Sequence, residues 1–201
     1  NKTVVPGDIM YKDVNGDGVI NYMDERPIGY RSDSTPTLNF GINLSASWKG
    51  FDLAMDWTGS GMTSWQQQYE TARPFQNDGN SPDEVFKDAW HLADIWDADS
   101  QLIPGKYPLI RLNNEETSAY DKSTFWLHNV KYIKLRNLEF GYTLPKRIVA
   151  KAGISNLRLY VSGTNLFSIS NIPFMDPECI NSNGLDYPTM RVVNFGINLK
   201  F

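Results

Sequence analysis

The apolar residues of this chain recur with a period of two. From Thr37 to Trp48, Leu38, Phe40, Ile42, Leu44, Ala46 and Trp48 share one face, and Asn39, Gly41, Asn43, Ser45 and Ser47 share the other. A helix needs an apolar stripe of period 3.6, so this pattern specifies a strand with one apolar and one polar face. After the turn signal Lys49-Gly50, Phe51, Leu53, Met55 and Trp57 alternate with Asp52, Ala54, Asp56 and Thr58, and the pair reads as a hairpin. A third strand is expected over about Phe125 to Thr143. There Leu138, Phe140 and Tyr142 are out of phase with Ile133 and Leu135, so a bulge is expected near Arg136-Asn137. Pro145 to Ala152 reads as one helical turn closed by Gly153. A fourth strand is expected over Asn156 to Ser168 and a last one over Thr189 to Phe201.

The connections alternate in length. The Lys49-Gly50 turn is short and Pro145–Ser155 modest, while Asn1–Pro36, Gly59–Thr124 and Asn171–Pro188 are long. With antiparallel neighbours, every long segment falls at one end of the sheet. Outer-membrane barrels are built this way, and so is a soluble sandwich with one ornate end. An apolar band flanked by Trp48, Trp57, Trp126 and Tyr142 suits a lipid-facing surface with aromatic girdles. The final Phe201, in register with the alternating apolar residues before it, suits a closing barrel strand. Five strands do not close a membrane barrel, which needs about eight, so the barrel reading makes these residues one arc of a larger wall. The chain opens on Asn1 with no initiator Met or signal peptide, and reads as part of something longer or as a processed product. The two architectures differ in one respect. The sandwich buries Leu38, Phe40, Leu53, Leu157 and Phe195, whereas the barrel turns them outward and faces Asn39, Asn43, Asp52 and Asn194 to a lumen.

Composition removes several classes. Of 201 residues, 19 are Lys or Arg and 23 are Asp or Glu, a net charge of −4, so nucleic acid is not an expected partner. A single cysteine permits no internal disulfide. No apolar run approaches the roughly 18 residues of a membrane helix. Aromatics at 13% argue against disorder.

Residues Asp13 to Asp24 fit the twelve-residue calcium loop. Asp13, Asn15 and Asp17 place oxygens at positions one, three and five, and Gly18 turns the chain at six. Val19 offers its carbonyl at seven, Asn21 acts directly or through water at nine, and Asp24 takes position twelve. Ca²⁺ is the expected ion, as a hard cation takes such an oxygen shell. The flanks are not those of an EF-hand: Ile9-Met10-Tyr11 looks extended and Pro27 stops an exiting helix. The role expected of the ion is to order a loop. An Asx- and Gly-rich turn without metal explains the same residues.

In Gly59–Thr124, Ser81-Pro82-Asp83-Glu84 reads as a helix start, with Ser81 as N-cap and Glu84 closing a capping box. Val85, Phe86, Ala89, Trp90 and Ala93 follow at helical spacing, with His91 on the same short helix and His128 at a strand start. Trp65, Trp90 and Trp96 are candidate ligand or partner contacts, though loop packing accounts for them as well. No nucleophile elbow, phosphate loop or HExxH occurs, so an enzyme is not expected. Asp52 and Asp56 share a strand face, but a wet lumen wall requires the same residues.

Several stretches together resemble the SusC/RagA family of TonB-linked outer-membrane proteins of Bacteroidetes. They are Pro6-Gly7-Asp8-Ile9-Met10-Tyr11-Lys12-Asp13 running into Asn15-Gly16-Asp17-Gly18; Leu135 to Pro145; Leu157 to Phe167; Asp176-Pro177-Glu178; and Tyr187-Pro188 before Phe195 to Phe201. The resemblance implies an all-β fold: the C-terminal antiparallel strands of a large transmembrane β-barrel, with long extracellular loops and one short loop helix. Family barrels have about 22 strands and an N-terminal plug. The resemblance divides the chain into an extracellular loop with the calcium-type motif (1–35), a hairpin (36–58), a long extracellular loop (59–124) and the last three strands (125–201). It implies import of oligosaccharides or peptides across the outer membrane, a SusD-like surface lipoprotein as lid, and energy from the TonB-ExbB-ExbD system through a part absent from this chain. It places Phe201 where the barrel-assembly machinery reads its signal. Two other classes stand beside it: a soluble calcium-stabilised β-sandwich that binds glycans or mediates adhesion, and a secreted hydrolase, which lacks a catalytic set.

Overall fold

A computed structural model describes residues 4–31, 35–111, 117–172, 174–179, 183–184 and 186–201. The strands are β1 (Leu38–Trp48), β2 (Phe51–Gln66), the two-residue pair β3 (His91–Leu92) and β4 (Leu102–Ile103), β5 (Leu127–Thr143), β6 (Asn156–Ser170) and β7 (Val192–Lys200). Two short helices, α1 (Asp83–Lys87) and α2 (Lys146–Val149), interrupt them. Five strands form one sheet in the order β1-β2-β5-β6-β7. The ladders β1–β2, β5–β6 and β6–β7 are antiparallel. Among the described residues no helix is long and apolar enough to cross a membrane, which says nothing of strands.

The chain divides into two compact units. The first comprises Asn1–Ser32, Ser64–Asn129 and Ile180–Asp186; the second comprises Asp33–Thr63, Val130–Cys179 and Tyr187–Phe201.

In the second unit the period-two pattern becomes a register. Residues directly opposite in an antiparallel ladder share a face. Ile42 lies opposite Trp57, Leu44 opposite Met55 and Trp48 opposite Phe51, while Asn43 lies opposite Asp56 and Ser47 opposite Asp52. Farther along the sheet Phe140 faces Val161, which faces Phe195, and Tyr142 faces Leu159, which faces Ile197. Phe51 extends the apolar face by packing its ring 5.9 Å from Phe140 and 4.4 Å from Tyr142. None of Leu38, Phe40, Leu53, Leu157 and Phe195 is buried, and Phe195 is 85% exposed. That is the outward arrangement the barrel requires, and it removes the sandwich. Trp48 is exposed on this band, but Trp126 does not belong to it.

Lys49 (φ 48°) and Gly50 (φ 92°) both lie in the left-handed region. That geometry turns a two-residue hairpin without splaying the strands. A Cβ at Gly50 would come within 2.7 Å of the Thr143 carbonyl oxygen. The Gly50 carbonyl also accepts from Thr143 N–H at 2.7 Å, so the turn is tied to the end of β5. The expected irregularity is present between Leu135 and Asn137, where Arg136 alone stands opposite Asn165 and Leu166. The extra residue therefore lies in β6, at Asn165 with φ 54°. After α2 the last helical turn ends on Gly153 (φ 72°), as expected.

The first unit has its own core. Ala72, Val85, Ala89, Tyr107, Ala119, Tyr120 and Trp126 are buried together, with Ile9, Ile110 and Phe125 against them. Trp126 is fully buried, stacked 5.8 Å from Tyr107 and edge-on to Phe125 at 4.8 Å. Its indole N–H donates to the Ala119 carbonyl at 2.8 Å. The apolar band ends before Trp126, because a loop core claims it. The helix is also shorter than its spacing suggests. It stops at Lys87, its N-cap is Pro82 with no side-chain cap bond, and Ser81 makes no capping box. His91 sits in β3, since Ala89 bridges to Tyr107 and ends the helix. His128 lies at the start of β5 as expected.

Replacing Gly50 by Val is expected to lower the stability of the full-length protein by roughly 1–3 kcal/mol, through the strained φ and the clash at Thr143. A urea midpoint equal to that of the parent protein would contradict this reading of the turn.

Candidate functional site

The calcium-type loop folds around its own carboxylates. Asp13 accepts the Gly16 N–H at 2.6 Å and the Gly18 N–H at 2.8 Å. Asn15 Oδ1 accepts from Asp17 N–H, and Asp17 Oδ1 from Val19 N–H, both at 2.8 Å. Asp24 closes the loop by accepting from Val14 N–H at 2.8 Å and Asn21 N–H at 2.9 Å. The Asn21 and Val14 amides hold the Asp24 carboxyl below the usual carboxylate range. Asn21 caps the 3-10 turn Tyr22–Asp24 through the Met23 N–H. Gly16 and Gly18 have φ 81° and 82°, with open space where a Cβ would stand, so these glycines answer a backbone demand. Every carboxylate oxygen accepting one amide keeps a lone pair for an ion. The available donors are oxygens of Asp13, Asn15, Asp17, Asn21 and Asp24 and the Val19 carbonyl, a set that fits a hard cation. Among the described residues no three His, Cys, Asp or Glu side chains form a metal-holding group. Asp13, Asp17 and Asp24 thus each answer backbone amides and are not gathered around one point in this structure.

The three candidate tryptophans have different surroundings. Trp65 is 3% exposed and stacks on His128 at 5.4 Å. The same histidine meets Gln67 Oε1 at 2.9 Å. Trp90 is half-buried with Gly7 against its ring, where a Cβ would come within 2.8 Å. Trp96 is 90% exposed. The structure does not bring the three together, and only Trp96 presents an open ring. Phe201, at the chain end, is exposed.

The polar face of the sheet is laced by side chains. Asn43 donates to Asp56 at 2.6 Å and Asn137 donates to the other Asp56 oxygen at 3.2 Å. Arg158 donates from Nε to Asp52 at 3.0 Å, pairs with Asp52 again through a terminal nitrogen, and reaches Glu139 at 2.7 Å. These contacts join β2, β5 and β6. The shared face carrying Asp52 and Asp56 is therefore committed to structural pairing.

Among the described residues one buried cation was not singled out by the sequence pattern. Lys134, 3% exposed, donates to Glu178 at 2.9 Å and Asp176 at 3.2 Å. Arg136 pairs with both oxygens of Glu178 and reaches Asn165 at 2.9 Å. Asp176 also accepts the backbone N–H of Thr189 at 3.0 Å, so it ties the two ends of the β6–β7 connection. Against burial, which raises it, hydrogen bonds led by that from the Thr189 hydroxyl hold the Asp176 carboxyl below its ordinary value. Burial likewise opposes, and Arg136 and Lys134 overcome, the shift at Glu178, which is also lowered. The signal was present in two places: Asp176-Pro177-Glu178 in the loop, and Lys134 and Arg136 at alternate positions of a strand.

In the first unit Asp8 is bound by Arg111 and by the Val5 N–H at 3.0 Å. Tyr11 donates to the Ser118 carbonyl at 2.7 Å, which fastens the segment before the calcium-type loop to the unit's core. Burial pushes the Tyr120 hydroxyl up to about 12.

No protein-family model matches the chain. The chain is 30% identical over 209 residues to TonB-dependent receptor P3 of Formosa agariphila, covering 98% of this chain and 19% of that protein. TonB-dependent receptor P26 of the same organism is 26% identical, over 98% of this chain and 20% of its own length. The chain thus spans about a fifth of the length of the curated relatives it matches. Among solved structures it is similar to the RagAB peptide transporter, with 25% identity, a TM-score of 0.62, and coverage of 91% of this chain and 19% of that one. The RagAB peptide importer in its closed-closed state matches at the same identity and TM-score, over 98% of this chain and 21% of that one. The resemblance to SusC/RagA proteins is borne out. The fold class is that of an arc of antiparallel strands from an outer-membrane barrel.

The depressed carboxylates of Asp176 and Glu178 stabilise the folded form above their ordinary pKa, and that contribution is lost as pH falls through the lowered folded value. The β6–β7 connection is therefore expected to loosen below the ordinary values of 4.5 for Glu and 3.8 for Asp. Amide exchange at Glu178 and Thr189, corrected for intrinsic rate, checks this; protection unchanged down to complete carboxylate protonation would contradict it. Lys134→Met leaves Asp176 without its buried cation and is expected to cost on the order of 3 kcal/mol in denaturant midpoint.

Proposed function

We propose that this chain is a wall segment and loop set of an outer-membrane TonB-dependent transporter that imports oligosaccharides or peptides. It works with a SusD-like lipoprotein lid and is driven by the TonB-ExbB-ExbD system through the remainder of the protein. The observation that carries this reading is the relation to TonB-dependent receptors over 98% of the chain, together with one apolar and one polar face along the β1–β2 and β6–β7 ladders. Peptide cargo is favoured by the name of the RagAB structural neighbours. Oligosaccharide cargo is favoured by the family resemblance.

The chain's own contribution follows from its faces. Leu44, Trp48, Phe140, Phe195 and Ile197 lie exposed on one side, suited to lipid. On the other side Arg158 pairs with Asp52 and Glu139, and Asn43 and Asn137 donate to Asp56, a polar surface suited to a wet lumen. The long connections lie outside the cell in this reading, and carry the contacts to cargo and lid. Phe201 serves as the signal that the barrel-insertion machinery reads. The loop of Asp13, Asn15, Asp17, Val19, Asn21 and Asp24 takes Ca²⁺, which draws its carboxylates together and fixes the extracellular segment they sit on. The ion's role is structural, and no chemical step passes through it.

Transport is tested with the full-length protein in its native host. Uptake of labelled peptide or oligosaccharide is expected to require both this protein and an intact TonB system. Recovery of the protein outside the outer membrane, or uptake unchanged when it is deleted across both cargo classes, would overturn the reading. Calcium is tested separately by titration calorimetry of the detergent-solubilised protein. Asp13→Ala combined with Asp24→Ala is expected to abolish one binding event; equal stoichiometry in the variant would show that the loop is a metal-free turn.

A further inference from the structure

Asn15-Gly16 and Asp17-Gly18, side by side in the loop, carry a chemistry of their own. In such a pair the glycine nitrogen attacks the side-chain carbonyl carbon of the residue before it, and glycine has no Cβ to obstruct the approach. At Asn15 the bond from Gly16 N to Asn15 Cγ forms, the amide proton passes to water, and the Cγ–Nδ2 bond breaks to release ammonia. Water then opens the cyclic imide at either carbonyl, leaving Asp or isoaspartate at that position. At Asp17 water is the leaving group and returns on ring opening, so Asp is exchanged for isoaspartate. Isoaspartate runs the main chain through the side-chain methylene, which displaces the later oxygens of the loop. All four residues are exposed. A Cβ on either glycine would meet nothing within 4 Å, so neither burial nor crowding blocks the attack.

We propose that these two pairs are a spontaneous modification site and that Asp13 gates it by holding both attacking nitrogens. One Asp13 oxygen accepts the Gly16 N–H at 2.6 Å and the other accepts the Gly18 N–H at 2.8 Å. To attack, each nitrogen must turn toward the carbon and lose its proton, and here its N–H is pinned by a charged acceptor, the stronger class of hydrogen bond. A carboxylate is far too weak a base to take an amide proton, so the contact restrains the nitrogen and does not activate it. The groups under attack are pinned as well. Asn15 Oδ1 accepts the Asp17 N–H at 2.8 Å, Asn15 Nδ2 donates to Asp17 Oδ2 at 3.0 Å, and Asp17 Oδ1 accepts the Val19 N–H at 2.8 Å. Asp78-Gly79 in the same unit is also exposed, but its glycine N–H donates to a neutral acceptor, the Gln76 carbonyl, at 2.9 Å. The bonds at Asp13 join protein groups only, so the gating holds apart from the calcium reading.

The test ages the full-length protein in detergent and EDTA at neutral pH. Peptide mass reads the exchange of amide for acid at Asn15, and isoaspartyl methyltransferase labelling reads isoaspartate at both positions. Asp13→Ala is expected to speed conversion at both pairs roughly tenfold over the parent, the effect of losing one charge-assisted bond at each nitrogen. Asp13→Asn keeps a single acceptor oxygen, holds one glycine instead of two, and is expected to fall between them. Asp24→Ala removes the bonds to Val14 and Asn21 but none to Gly16 or Gly18, and is expected to convert at the parent's rate. Isoaspartate at Asp78 serves as the internal reference and is expected to be the same in every variant. Conversion of Asp13→Ala at the parent's rate overturns the inference. Equal acceleration by Asp24→Ala also overturns it, and assigns the protection to loop closure in general. A parent rate equal to that of the chain unfolded in urea overturns it too, because no gating then exists.

Discussion

Backbone hydrogen bonding in a low-dielectric surround is the constraint on which the rest depends. A strand that faces lipid has no water to satisfy its amides, so each must be paired across the ladder and no edge can be left open. The sheet described here satisfies the first demand over long, in-register antiparallel ladders. Its order begins with β1 and ends with β7, and the curated relatives are about five times as long as this chain. Once pairing is fixed, the side-chain period of two places the apolar residues on one face, as the β1–β2 and β6–β7 ladders show.

The polar face shows why such a wall needs more than alternation. Charges that line a lumen repel or attract one another across strands, and here Asp52, Glu139 and Arg158 are set so that one guanidinium serves two carboxylates on two other strands. Where the ladder shifts register at Asn165, the resulting gap is filled by Arg136, which reaches both Asn165 and Glu178. The bulge thereby becomes the point at which the β6–β7 connection is anchored. Lys134 beside it is buried, and a buried cation persists only with acceptors around it, which Asp176, Glu178 and Thr189 supply.

The connecting segments solve a different problem. They are too long to be stabilised by strand pairing and must supply their own core. Trp126 does this in the first unit by gathering Tyr107, Tyr120 and Phe125 around one indole. That is why a residue spaced like a membrane girdle is fully buried, and why the expected helix from Ser81 is cut short. Ala89 and Trp90 bond to the Tyr107 segment instead of continuing a helix.

The sequence alone determined the five long strands except the run of β2 beyond Thr58 to Gln66, the turn at Lys49-Gly50, the place of the register shift, the helical stop at Gly153 and the family likeness. All of these rest on local physics: side-chain period, the φ that glycine permits, and short motifs. The carboxylate-rich loop from Asp13 to Asp24 was equally legible, because its hydrogen bonds join residues close in sequence. Only the tertiary structure decided which strand carried the extra residue, which tryptophan was core and which was open, and which partners Lys134 and Asp8 took. Those outcomes depend on contacts between residues from 19 to 107 positions apart, and no local pattern encodes the free energy of burying one aromatic or one charge against another so far along the chain.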